Sequence, residues 1–413
     1  MLVLLAALPL LFLHVEFQPT LTLGSTTAAL SDLAVLAVAA AAWPVLRREG
    51  LGTLRRGLPV WIAGAIWLAL IFLGTLYGLA HFGDYPFGSH LVTALKYAEY
   101  ALLAPAAALL VRTARDLRAV LVVVAAWSVA ALLWALAQFS GLITAFGLEP
   151  VLQRVPSFLG FEDFALLGAA AVTGALVTRG ALAWTLAIAG AADLVLSGAL
   201  AGVLGLWLGG AGVALVLLRE RRLTLPRAAA IAAALAVTLA GALTMRSGDI
   251  NSFFRFLGAE PRKTADEGDV QSYDQRVVLG YIGLEIFLDD PLLGVGWQGS
   301  KDEYGYGPQL AEAHRRFPRE PDLTFPSPEH PWGVHNAYVQ ALSDLGLPGL
   351  LALLGLLATA ALLAARRGAT LALAWLLVCA GISNGRGLVA GVPLDALLWL
   401  SVGLAAAEAR DES

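Results

Sequence analysis

Charge is scarce in this 413-residue chain. Asp, Glu, Lys and Arg together make 14% of it and hydrophobic residues 58%. A soluble globule carries about 25% charged residues, so that class is excluded. Lysine occurs only at positions 96, 263 and 301, and the remaining basic charge is arginine. A net charge of −4 argues against nucleic acid as a partner. Cys379 is the single cysteine, which excludes an intramolecular disulfide, and no CxxC or His-rich metal spacing exists. The short alternating segments of a transmembrane β-barrel are absent. The first residues lack a basic stretch and a cleavage site, so Met1–Phe17 is expected to be a retained span rather than a removed signal peptide.

What is present is a series of Ala/Leu/Val/Gly-rich windows of roughly 18 or more apolar residues, the length that crosses a bilayer as a helix. They predict an all-α membrane protein of about twelve transmembrane helices with a large extracytoplasmic loop carrying short helices. The spans are expected near residues 1–17, 27–46, 58–80, 89–111, 117–138, 158–178, 180–197, 199–218, 227–245, 338–364, 369–384 and 388–407. Arginines orient them. Arg47, Arg48, Arg55 and Arg56, then Arg112, Arg115 and Arg118, then Arg179, then Arg219, Arg221, Arg222 and Arg227, then Arg366 and Arg367 all follow even-numbered spans. That side is read as cytoplasmic, and both termini with it. The chain then divides into a bundle over 1–245, an extracytoplasmic loop over 246–335, and closing spans with a short tail over 336–413.

The loop at 246–335 is too long for a simple connector, and polar groups inside or beside a membrane tend to be functional. Within it, Ser272–Asp290 reads as a helix with capping-box spacing between Ser272 and Gln275. Pro291 stops that helix, and Gly294-Val295-Gly296 makes a compact turn. Asn336–Leu345 reads as a further helix ended by Gly346 and Pro348. His335 would stand at its N-terminal edge, where the helix dipole favours an anion and disfavours imidazolium. A neutral histidine beside an anion-friendly helix end suits a general base next to a diphosphate leaving group. Arg276 would project from the first turn of its helix near the membrane surface.

These residues resemble the O-antigen ligase and polymerase family of bacterial envelope glycosyltransferases. The match is an order: Arg276, a helix of about four turns, Asp290-Pro291-Leu292-Leu293-Gly294-Val295-Gly296, a variable loop, His335-Asn336-Ala337-Tyr338, then Leu345-Gly346-Leu347-Pro348-Gly349-Leu350. Ser31-Asp32 and Arg154-Val155-Pro156-Ser157-Phe158 are weaker echoes. The resemblance implies a donor glycan carried on undecaprenyl diphosphate, used on the outer face of the bacterial inner membrane without a cofactor. The acceptor it implies is a lipid A-core sugar, the end of another lipid-linked glycan or, as a third alternative, a protein hydroxyl. It implies His335 as base and Arg276 on the diphosphate, with Arg154, Arg319, Asn336, Tyr338, Arg246 and Arg255 as substrate contacts. Many ligases carry a second arginine in a Ser-Arg-Gly-like turn. The turn read as corresponding is Ser197-Gly198-Ala199, so Arg154, Arg246 or Arg255 is expected to supply that charge. No aspartate pair is spaced for a metal diphosphate, so a metal-independent, inverting transfer is expected.

Bland readings stand beside these. His335 and Asn336 can simply cap a helix, and Arg276, Arg315 and Arg316 can be interfacial anchors. Lys96 and Glu99, at i and i+3, are expected to neutralise each other. Glu162 and Asp163 would pair with Arg154 or meet a sugar hydroxyl. Asp193, Asp344, Arg386 and Asp395 are membrane-proximal groups to which the sequence assigns no partner. A transporter of lipid-linked glycan is the alternative from another class; it would carry inverted repeats or mid-membrane charges in broken helices.

Overall fold

A computed structural model describes residues 1–23, 26–144, 154–245 and 272–407. Arg246, Arg255, Glu149, Gln153 and the side chain of Ser272 lie outside the described residues. The helices are α1 Leu2–Leu11, α2 Leu30–Glu49, α3 Leu58–His81, α4 Phe87–Ala101, α5 Leu103–Leu110, α6 Ala114–Phe139, α7 Phe161–Val177, α8 Ala181–Ser197, α9 Leu200–Arg219, α10 Leu225–Met245, α11 Ser272–Asp289, α12 Glu303–Arg316, α13 Ala337–Arg367, α14 Thr370–Ile382 and α15 Pro393–Ala406. One antiparallel hairpin, β1 Thr20–Leu23 with β2 Thr26–Ala29, precedes α2. Of the helices, α2, α3, α6, α9 and α13 are long and apolar enough to cross a membrane; α1, α8, α14, α15 and the Ile231–Met245 part of α10 are shorter apolar helices.

Local chemistry sets the helix ends. At α6 the Asp116 backbone N–H donates to Thr113 Oγ1 at 3.1 Å and the Thr113 backbone N–H donates to Asp116 Oδ2 at 3.0 Å, a reciprocal capping box. The expected tight turn between α8 and α9 is Gly198, whose φ of +60° is left-handed. The interval 89–111 holds two helices, α4 and α5, instead of one. Pro105 sits in the first turn of α5, where it has no N–H to donate to the Ala101 carbonyl and its ring crowds that carbonyl.

The centre of the bundle is α7, buried from Asp163 to Gly174 and packed against α6, α8, α9 and α14. Close approach depends on small residues: a Cβ on Gly190 would lie 2.6 Å from the Gly168 carbonyl oxygen across the α7–α8 contact. Two hydrogen bonds cross this interior. Ser128 donates to Asp193 Oδ2 at 2.5 Å and Trp375 Nε1 to the Ala170 carbonyl at 3.0 Å. Cys379 on α14 is 1% exposed.

Helix α11 packs on α12 and on α13. Val278, Ile282 and Ile286, four residues apart along one face, close a small second core with Val295, Tyr306, Ala313 and Phe325. Lys96 corrects one expectation. Its ammonium pairs with Asp32 Oδ2 at 3.0 Å, across to α2, rather than with Glu99 on its own helix. Asp32 also accepts the Ala29 backbone N–H at 2.8 Å, so one carboxylate caps α2 and anchors α4.

Candidate active site

The separated motif segments interlock. The Val295 backbone N–H donates to the Ser343 carbonyl at 3.0 Å, and that of Leu347 to the Pro291 carbonyl at 2.9 Å. At Gly346 the helix α13 breaks, with φ +67° and ψ −167°. A Cβ there would collide with the Leu292 backbone, and one on Gly294 (φ +61°) with the Ser343 carbonyl. Glycine is therefore required at both positions by conformation and by space. The break in α13 receives the Pro291–Gly296 turn.

A buried amide–carboxylate relay extends this lock to a third segment. Asp344 accepts the backbone N–H of Gln298 and of Ser300, each at 3.0 Å, and the side-chain amide of Gln340 at 3.0 Å. The other end of that amide, Gln340 Oε1, accepts the Leu388 N–H at 2.5 Å, and Gln298 Nε2 donates to the Leu388 carbonyl at 2.6 Å. A buried carboxylate is tolerable only when its lone pairs are met, and here three N–H groups meet them. The turn after α11, the start of α13 and the α14–α15 connection are fixed as one unit.

That unit walls a cavity of about 570 Å³ lined by His335, Glu162, Lys96, Lys301, Arg386 and Gln298 among others. His335 lies in the coil just before α13 and is half-buried. Burial first, and the Arg276 guanidinium second, push its pKa below the ordinary 6.5; Glu162 pulls upward and Arg386 adds to the lowering. This direction favours the neutral imidazole at pH 7, and its causes are burial and neighbouring arginines. Arg276 Nη2 pairs with Glu162 Oε1 at 2.7 Å, and Arg386 Nη1 with Asp163 Oδ1 at 2.5 Å. The two acids opening α7 each hold one arginine, which answers the question of their partners.

Arg386 is the site residue that sequence reasoning did not single out for function. It lies in Asn384-Gly385-Arg386-Gly387, between α14 and α15. A Cβ at Gly387 would lie 2.5 Å from the Val334 carbonyl oxygen and 2.6 Å from Gln340 Oε1. The available signal was an arginine between two glycines at the end of an apolar run. The Ser197 turn instead receives the Val155 backbone N–H, which donates to the Leu196 carbonyl at 3.0 Å.

The other candidates lie as follows. Asn336 caps α13, its Oδ1 accepting the Tyr338 and Val339 N–H groups at 3.0 and 3.1 Å. The Tyr338 hydroxyl donates to the Ala380 carbonyl at 2.7 Å. Arg154 lies over the Phe161 ring, 4.5 Å from its centroid. Arg319 is exposed in the loop after α12. None of these four lines the cavity among the described residues. Asp395 accepts the Gly391 N–H at 3.1 Å. Among the described residues, no three His, Cys, Asp or Glu side chains come together as a metal-ligand group.

A helical multi-pass membrane protein with a cationic cavity beside a neutral histidine is the class that fold and site define. Residues 181–354 match the model of the family described as O-antigen ligase. The chain carries an O-antigen ligase family domain over that stretch, which holds Arg276, the Pro291–Gly296 turn, His335 and Gly346, and so bears out the resemblance seen in the sequence. Members of this family are glycosyltransferase-like enzymes of O-antigen assembly. Curated proteins give no match.

Proposed function

We propose that the protein transfers a glycan from undecaprenyl diphosphate to an acceptor hydroxyl at the extracytoplasmic face of the bacterial inner membrane, with a lipid A-core sugar as the favoured acceptor. The reading takes the chain as about twelve spans with both termini cytoplasmic, as arginine placement argues. Residues 246–335 then form the extracytoplasmic loop between the bundle of 1–245 and the closing spans of 336–413. The observation that carries the reading is one juxtaposition: neutral His335 shares a cavity with Arg386, Lys96 and Lys301.

His335 takes the proton of the acceptor hydroxyl as that oxygen attacks the anomeric carbon of the donor. The bond from this carbon to the diphosphate oxygen breaks, and its electron pair leaves on the diphosphate. The charge that develops there meets guanidinium and ammonium donors, which match phosphate oxygens and stabilise a leaving group in a preformed site. Burial first, and the charge of Arg276 second, favour the basic, unprotonated form of the histidine. One in-line displacement inverts the anomeric centre, and the cations take the part a divalent ion plays elsewhere.

The test uses purified protein with EDTA, a lipid-diphosphate glycan from the native envelope pathway, and two acceptors: a lipid A-core and a second lipid-linked glycan. Undecaprenyl diphosphate release coupled to a new glycan product, lost in His335→Ala, is the expected result. The acceptor consumed separates ligase from polymerase. Folded protein that binds donor yet consumes none with either acceptor would overturn the reading in favour of transport.

A further inference from the structure

A second and larger cavity, of about 810 Å³, lies at the other end of the molecule. It opens between the starts of α6, α8 and α14 and the ends of α7, α9, α13 and α15. Helices α7 and α13 run from the His335 end to this one. The 17 residues of α7 alone set the two ends roughly 25 Å apart.

Its described lining has five arginines, Arg112, Arg118, Arg179, Arg222 and Arg367, and no carboxylate. Among the described residues, the acids nearby are engaged. Glu49 Oε2 pairs with Arg112 at 2.5 Å, Glu220 with Arg222 at 2.9 Å, and Asp116 caps its own helix. Arg367 donates to the Ala405 carbonyl at 3.1 Å and the Arg56 carbonyl at 2.7 Å, which fixes it as part of the wall. Arg118 and Arg179 are exposed, and no described residue pairs with either. They come from different helix ends yet line one hollow. Between the arginines the wall is apolar, with Leu117, Leu121, Leu182 and Leu404.

A cationic rim over a leucine-lined hollow, at the end of a membrane bundle, is complementary to a molecule with an anionic head and a hydrocarbon tail. Basic pockets between helices at a membrane surface recognise such lipids by this combination. A free phosphate would leave the leucine wall facing water, and a neutral lipid would leave the arginines without a counter-charge. We infer that this cavity is a binding site for an anionic glycerophospholipid of the surrounding leaflet, with Arg118 and Arg179 on its phosphate. The site does not rest on the transferase reading.

The test is native mass spectrometry of the full chain released from vesicles of equal phosphatidylglycerol and phosphatidylcholine. The wild type is expected to retain phosphatidylglycerol in preference, and an Arg118→Gln/Arg179→Gln double variant to lose that preference several-fold. Arg118→Lys/Arg179→Lys should keep most of it. An Arg315→Gln/Arg316→Gln variant, which removes two exposed charges on α12, should leave it unchanged. Equal retention of both lipids by the wild type, an unchanged double variant, or an equal loss in the α12 variant would each overturn the site. Displacement of the lipid by millimolar inorganic phosphate alone would reassign it to a small anion.

Discussion

Arg276 Nη2 stands 2.7 Å from Glu162 Oε1, joining the first turn of α11 to the first turn of α7 beside His335. The pair acts on the histidine with opposite signs, because the arginine lowers its pKa and the glutamate raises it. A base works only when unprotonated, so turnover should persist as pH falls through 6.5 and decline only below it. Arg276→Gln should move that acid limb up towards 6.5, and Glu162→Gln should move it further down. A pH–rate profile, or an NMR titration of the His335 ring, checks both signs; shifts in the same direction would refute the arrangement. The linkage follows. Between 6.5 and the lowered native value the unfolded chain binds more protons, so this contribution to stability is full above 6.5 and diminishes as pH falls.

His335→Ala should cost about 10²–10⁴-fold in transfer rate, the usual worth of a positioned base, while donor affinity stays near wild type. A radiolabelled donor binding assay beside a rate measurement separates the two. Loss of binding equal to the loss of rate would make His335 a substrate contact instead.

Arg386 and Asp163 form a buried pair, with Asp163 only 3% exposed. Removing one charge strands the other, which costs about 3–5 kcal/mol. Arg386→Ala should therefore lower the unfolding midpoint in detergent strongly, and adding Asp163→Asn should restore much of it. Transfer should stay lost in the double variant, because the cation facing the cavity is gone. Full activity there would show that the pair serves the fold alone.

Gly346→Ala forces a Cβ against Leu292 in a left-handed conformation. A strained non-glycine residue of this kind costs about 1–3 kcal/mol. Gly280→Ala, inside α11 with nothing within 4 Å of the added carbon, should instead be neutral or stabilise by about 0.5–1 kcal/mol. Thermal unfolding of both variants in one detergent is the measurement.

Apolar runs made the helices legible, and Gly198, Pro291 and Gly346 marked turns where the chain does turn. His335 and Arg276 were legible because order along the chain, rather than proximity, carries their motif. Lys96 was misjudged because i,i+3 spacing offers a local partner, while Asp32 on another helix lies nearer. Arg386 was passed over for the same reason: Asp163 is more than two hundred residues away in sequence, and only the packing of α7 against α14 brings them together. Asn336 and Tyr338 show the converse. Both belong to the motif, yet the hydrogen bonds of each go to backbone groups, so motif membership alone did not distinguish a contact with substrate from a cap.

Cys379 is the chain's one thiol and packs inside the bundle at 1% exposure. A maleimide too polar to enter a bilayer will find no target on the native protein. A cysteine placed at exposed Arg319, or at exposed Arg55 near the opposite end, becomes the sole reactive group. Sidedness can then be read in intact cells one position at a time, on a background whose one native thiol is buried.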